Sequence, residues 1–528
     1  MTFPMASRHK QHARIVLSLG LLACSTGLIP VSRAQSSEWT TSSGDAARDA
    51  WQRSPSKLNP KTAPHLQLLW KTKLDSKPMG MLSFREPLIV AGVQTSDGTH
   101  TVAILAGAKN DVHALDAETG KVLWETNLKW SSDKPQEPGE GNGFICTNAL
   151  SATPVVSPAD TLNRMLYVLS SDGYLHSMDL KTGADTDKPI QVLPLPYGKP
   201  YGLNLVNNVV YTTTGQGCGG VPNALYAVNL ANRKLTVSDP PQAGIWGTAG
   251  PAIGSDGTIY FATGDGEYNA ATSKLSTSVE AFTFANDSLT LKDYYTPTNH
   301  VWLTRRDLDM NATPVVFPYQ GRDLIVASGK EGRYFLMDSK SMGGADHMTP
   351  IFRSDLISNK NVNFQTEGTW GSLASWQSAD GTRWVLGTTG GELNVPFPKT
   401  YGPTPKGGVI AFKLKEDNGK LQLVPAWAST NMTTAEPPVL VNGVAFVLAA
   451  GEYTAQANDT EGGLYSAGDR IHLSVPARLY ALDATTGKEL YSSGDIVTSF
   501  LHQAGPSVAS DKVIFGTFDG TIYCFGLK

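Results

Sequence analysis

The chain has 528 residues, 41% of them apolar and 17% charged, with 52 glycines, 32 prolines and a formal net charge of −4. That is a turn-rich globular composition with material for a large core, which excludes a disordered chain. No long basic run is present, so nothing points to a nucleic-acid partner.

The chain opens on a targeting pattern. Arg8, Lys10 and Arg14 precede a mostly apolar run from Ile15 to Val31, broken by Gly20, Gly27 and Pro30. Ser32-Arg33-Ala34 is a small-residue cleavage site, so a signal peptide of residues 1–34 and a periplasmic or secreted mature chain from Gln35 are expected. The broken run argues against a transmembrane helix in the mature chain. A rival pattern, Leu21-Leu22-Ala23-Cys24, resembles a lipoprotein box that would leave a lipidated Cys24, but Leu28 to Val31 continues the apolar run beyond it. Removing residues 1–34 leaves 39 basic against 47 acidic residues, a balance of −8. Cys146, Cys218 and Cys524 remain, with no CxxC or CxxCH, so neither a zinc ribbon nor a covalently attached haem is indicated. In an oxidising compartment Cys146 and Cys218 can pair.

From there the chain repeats itself. Val112-His-Ala-Leu-Asp-Ala-Glu-Thr-Gly-Lys-Val-Leu-Trp124 returns as Leu479-Tyr-Ala-Leu-Asp-Ala-Thr-Thr-Gly-Lys-Glu-Leu-Tyr491, with worn copies at 175–183 and 225–230. Each reads as a hairpin whose Thr-Gly turn uses glycine for positive φ. With two apolar strands ahead of it, each unit is a four-stranded antiparallel blade. Units fall at 87–128, 152–193, 201–238, 251–295, 312–357, 370–430 and 438–497. An eighth, from 504, ends after three strands, and Leu66-Gln-Leu-Leu-Trp-Lys-Thr-Lys-Leu74 supplies the fourth. The expected fold is all-β: a single-domain eight-bladed β-propeller over 35–528, its ring closed by the N-terminal strand. Trp70, Trp124, Trp427 and Tyr491 read as packing between blades, and Cys524 as a small buried hydrophobe.

Calling the strands A to D from the channel outward, the D–A and B–C loops share one face. The long inserts 390–408 and 450–476 lie in B–C slots, which marks a binding face. The same face receives Trp246, Asp265, Asp307 with Asp309, and Lys330 with Glu331. An indole, carboxylates and a cation around one pit suit a flat, anionic, carbonyl-bearing ligand, and the carboxylates suit a hard cation. Plainer readings stand beside these: Asp265 as a turn residue, Trp246 as a channel plug, Asp307 paired with Arg305 or Arg306, Lys330 in a solvated turn.

These repeats resemble the pyrroloquinoline quinone (PQQ) repeats of quinoprotein alcohol dehydrogenase-like proteins, over nearly all of the mature chain. The resemblance implies an eight-bladed extracytoplasmic propeller that oxidises an alcohol or other hydroxyl compound with PQQ and calcium. It implies that Trp246 stacks under the quinone and that Asp265, in Ala-Thr-Gly-Asp, stands for a calcium-ligating asparagine. Asp309, in Asp-Leu-Asp-Met, is similar to the family's general base beside the metal, and Lys330 to a lysine that bonds the quinone oxygens. The chain departs from the family in lacking adjacent cysteines and in carrying Gly215-Gln-Gly-Cys-Gly-Gly220 where a glutamate calcium ligand is usual. Asp-Leu-Asp-Met-Asn-Ala-Thr-Pro resembles polyvinyl-alcohol dehydrogenase-like members. The expected partners are a small-molecule hydroxyl substrate and a separate electron acceptor. The alternative is a non-catalytic propeller, like the assembly lipoprotein BamB, that binds a protein or polysaccharide.

Overall fold

The computed structural model describes residues 37–128, 145–239, 242–458 and 463–528. The expected signal peptide, its cleavage site and Cys24 lie outside them. Eight antiparallel sheets follow one another, each running from an inner strand A to an outer strand D, and they form an eight-bladed β-propeller. Blade 1 comprises Leu88–Thr95, Gly98–Ala106, Asp111–Asp116 and Val122–Asn127. Blade 8 comprises Ser507–Ala509, Lys512–Gly516 and Thr521–Gly526, and Gln67–Lys73 pairs with the last of these from the other end of the chain. The described residues belong to one compact unit, Ser36–Lys528. Among them, no helix is long and apolar enough to cross a membrane.

The hairpin repeat has a second purpose beyond its turn. Trp70, Trp124 and Trp427, on outer strands, donate their indole N–H to the carbonyls of Ala117, Leu180 and Ala484 in the turn of the following blade, at 3.0, 2.9 and 3.1 Å. The turn glycines Gly120, Gly183 and Gly487 have φ of +73°, +68° and +75°, and a Cβ on any of them would overlap the same indole ring. Glycine is therefore required twice over, for the backbone conformation and for the close approach of blade to blade.

The channel is closed by a segment whose role the sequence did not reveal. Residues 37–52 visit the inner strands in ring order. Ser37 accepts from Ser510 of blade 8, and Trp39 exchanges backbone bonds with Ile89 of blade 1. Thr40 meets Val156, Thr41 bonds Leu203, Ala46 meets Ile253 and Ala47 meets Val316. Asp49 meets Ser375, Ala50 meets Leu440, and Trp51–Gln52 pair in parallel with Leu440–Val441 of blade 7. Arg48, fully buried, donates to the carbonyls of Ser42, Leu203 and Pro251, while Glu86 accepts from Trp39, Ser42 and the Ser43 amide. Inner-strand groups that would face an open channel are satisfied by this segment.

Candidate functional site

On the D–A and B–C face the plugged channel opens into a cavity of about 550 Å³. Trp246 sits on a short inner strand, Ile245–Trp246, paired with Ala262 and Thr263 of blade 4, and lines this cavity. It is a wall of the pit, and the plug is the 37–52 segment. Two residues beyond the paired strand, the Asp265 amide donates to Asp309 Oδ1 at 2.7 Å. Gly264 lies between, where a Cβ would overlap both Asp309 Oδ1 and Trp246 Nε1. The sequence thus brings blades 4 and 5 into contact at a glycine, where any larger residue would displace Asp309 or Trp246.

Lys330, at the end of strand B of blade 5, points back onto the loop before strand A. Its Nζ stands 2.5 Å from Asp309 Oδ2 and 2.8 Å from Asp307 Oδ1. Asp307 pairs with this buried ammonium, so the plainer reading with Arg305 or Arg306 does not describe it. One oxygen each of Asp265, Asp307 and Asp309 lies within 4.8 Å of the others. Burial, then the Asp309 charge, push Asp307 up to about 7 and raise Asp265. Burial alone would lower Lys330, but Asp309 and Asp307 more than offset it and hold it above the ordinary lysine value. Asp307 also holds a φ of +54°, a left-handed conformation that costs an aspartate on the order of 1 kcal/mol and is typical of functional loops. Of the two carboxylates, Asp307 lines the cavity, while the Asp309 side chain is closed from solvent behind it.

Several groups were not anticipated. Lys199 and Lys330 both stand 5.7 Å from the centre of the Trp246 ring. Tyr201 Oη, Trp246 Nε1 and both amide atoms of Asn311 are buried without a hydrogen-bond partner, and all three residues line the cavity. A concentration of orphaned polar atoms on one cavity is the mark of a ligand site. On the far wall His502 Nδ1 meets Glu452 Oε2 at 2.7 Å, and Arg470 donates to the other oxygen at 2.6 Å. Beside them burial, then the Glu452 charge, push Glu436 up to about 8. The rim is pinned by a Cys146–Cys218 disulfide with a Cα–Cα distance of 5.4 Å, next to Ile145 and Gln216 of the cavity wall. Cys524 is buried, as expected.

The donor set fits the groups that the resemblance implies. Three carboxylates against one ammonium leave two negative charges, which one hard divalent cation neutralises. Blade 3 brings Gln216, and no carboxylate, to the cavity. A half-buried indole lining the cavity, flanking ammonium groups and orphaned polar atoms suit a flat polyanion such as PQQ.

Comparison with known proteins bears on the fold. Residues 62–236 match a PQQ-repeat family model described as outer membrane protein assembly factor BamB. No curated protein matches the chain in sequence. Among solved structures, the quinohemoprotein alcohol dehydrogenase of Comamonas testosteroni aligns with TM-score 0.55 at 15% identity, over 93% of this chain and 81% of that one. A quinohemoprotein alcohol dehydrogenase of Pseudomonas putida HK5 gives 0.56 at 14%, over 93% and 80%. A europium-containing methanol dehydrogenase gives 0.54 at 14%, over 93% and 98%. At such identities the likeness is one of fold. The chain is an eight-bladed propeller with the fold of these dehydrogenases, and its residues 62–236 match the PQQ-repeat model.

Proposed function

We propose that this propeller is a PQQ-dependent dehydrogenase that oxidises an alcohol or other hydroxyl compound outside the cytoplasm, residues 1–34 serving as its export signal. The observation that carries the reading is the convergence of Trp246, Asp265, Asp307, Asp309 and Lys330, with orphaned polar atoms, on one cavity at the channel mouth. PQQ, when bound, supplies the two-electron acceptor that no side chain here provides. Trp246 offers the stacking face, and Asp265 and Asp309, joined by Asp307, offer oxygens to calcium. The substrate's hydroxyl proton goes to the Asp307–Asp309 pair, with Asp307 facing the cavity and Asp309 held behind it. Lys330, bonded to both carboxylates, places positive charge where negative charge develops on oxygen. Electrons leave to a separate acceptor, since the sequence has no haem-attachment motif.

Reconstitution with PQQ and calcium, followed by a panel of alcohols with an artificial electron acceptor, tests this. Dye reduction that needs both additions and is lost in Trp246→Ala and Asp309→Asn is the expected result. Saturable PQQ binding with no turnover of any hydroxyl compound would overturn the catalytic reading. The second reading, a non-catalytic propeller that binds a protein partner on its loop face, is favoured by the family-model match over residues 62–236. It predicts no PQQ binding.

A further inference from the structure

We infer that His502, Glu452 and Glu436 form a subsite on the far wall of the cavity that binds a second hydroxyl of the substrate, so that a diol is preferred to a monohydric alcohol. The inference rests on the dehydrogenase reading for the reaction, though not for the binding. Glu436 precedes the inner strand of blade 7, Val439–Val441, and Glu452 follows its second strand, Val444–Ala449. His502 precedes the inner strand of blade 8. All three line the cavity, and blades 7 and 8 stand across the ring from blade 4, which carries Trp246.

His502 is 8% exposed, and its Nδ1 donates to Glu452 Oε2 at 2.7 Å while Arg470 holds the other oxygen at 2.6 Å. Arg470 also donates to the Tyr453 carbonyl at 3.0 Å, which fixes the guanidinium in turn. With the Glu452 charge met by Arg470, the pair needs no second positive charge. A neutral imidazole bonded through Nδ1–H presents Nε2 as an acceptor. That Nε2 has no hydrogen-bond partner among the described residues.

Glu436 is tied to the same loop. Its Oε1 accepts from the amide of Gln503, the residue after His502, at 3.1 Å, and Arg85 donates to the Gln503 carbonyl. Burial, then the Glu452 charge, push Glu436 up to about 8, so in neutral solution it keeps its proton. The wall therefore presents a carboxylic O–H donor and a nitrogen acceptor from adjoining loops. A hydroxyl both accepts and donates: it takes the Glu436 proton on its oxygen and gives its own to His502 Nε2. A methyl group there would leave both buried groups unpaired, which costs more than the bonds are worth when made. Asp307 lines the other side of this cavity of about 550 Å³, so one hydroxyl meets Asp307 while another meets His502.

The test compares butane-1,4-diol with 1-butanol on the chain supplied with PQQ and calcium. Two readouts are taken: kcat/KM by dye reduction, and the His502 imidazole signal in NMR of histidine-labelled protein, assigned by its loss in His502→Phe. In wild type the diol is favoured over the alcohol by at least about tenfold in kcat/KM, as two bonds to buried polar groups require. The ratio falls to near one in His502→Phe and Glu436→Leu, whereas Glu436→Gln, which keeps a donor, retains most of it. The diol shifts the His502 signal saturably and 1-butanol does not. Dye reduction with a ratio near one in wild type, or one unchanged in both variants, would overturn the subsite and leave the dehydrogenase reading intact. A saturable shift with no dye reduction from either compound would sustain the subsite and overturn the dehydrogenase reading. Absence of both dye reduction and shift would overturn both. Should His502→Phe not fold, Glu436→Leu against Glu436→Gln decides: equal ratios in the two would sink the subsite.

Discussion

The Lys330 ammonium stands 2.5 Å from Asp309 Oδ2, with the two side chains only 5% and 0% exposed. Removing one member of such a pair strands the other charge in a dry environment. Lys330→Met is therefore expected to cost about 3–5 kcal/mol of stability, much of it recovered by adding Asp309→Asn. Urea unfolding of the single and double variants checks this, and a loss below about 1 kcal/mol in the single variant would contradict a desolvated pair.

The contact between blades gives a second expectation. Gly183→Ala meets both a φ of +68° and the Trp124 ring, whereas Gly381→Ala, at φ +84°, meets nothing within 4 Å. Gly381→Ala should cost about 1 kcal/mol, the conformational term alone. Gly183→Ala should cost about 3 kcal/mol, because overpacking adds to that term. Equal losses in denaturant midpoints would show that the turn does not dock on the indole as described.

These two sites also show what a sequence discloses. The blades were legible because strand alternation and the Thr-Gly turn recur at a fixed place, and Trp70 and Trp124 announce the packing by recurring with them. Trp246, Asp265, Asp309 and Lys330 stand out in the sequence because a local phrase surrounds each one, and the structure brings the four close together. The plugging role of the 37–52 segment was not legible, since it has no period and bonds to strands up to several hundred residues away. His502 and Glu452 lie 50 residues apart, and nothing in either neighbourhood names the other. Lys199 could not be recognised from sequence, because what distinguishes it is its place beside the Trp246 ring, with no carboxylate in ion-pair distance among the described residues. One missed element did carry a signal. Ser466 and Asp469 form a capping box on the short helix Ala467–Leu473, within an insert read as loop.

Glu436 makes stability depend on pH. Its folded value is raised to about 8 from 4.5, by burial first and then by Glu452. Between those values the folded chain binds more protons than the unfolded chain, so stability falls as pH rises, at up to about 1.4 kcal/mol per unit. Below pH 4.5 and above pH 8 this contribution is flat. Glu436→Gln, which still accepts from the Gln503 amide, should show a shallower fall between pH 5 and 8 in thermal melts. Parallel profiles for the two proteins would contradict the assignment.

The carboxylate cluster should respond to calcium directly. Asp265→Asn removes one charged oxygen from a set of three, and calorimetric titration of the cofactor-free chain should show calcium affinity at least about tenfold weaker than wild type. Unchanged affinity would place the ion elsewhere.

The central claim is that PQQ rests on Trp246, and its most direct measurement is an equilibrium titration of the purified mature chain with PQQ in calcium. One-to-one quenching of tryptophan fluorescence, lost in Trp246→Ala while a Trp376→Phe control on a blade 6 strand retains it, is the predicted result. An absence of saturable binding at high micromolar PQQ would contradict the account and leave a propeller whose cavity serves another ligand.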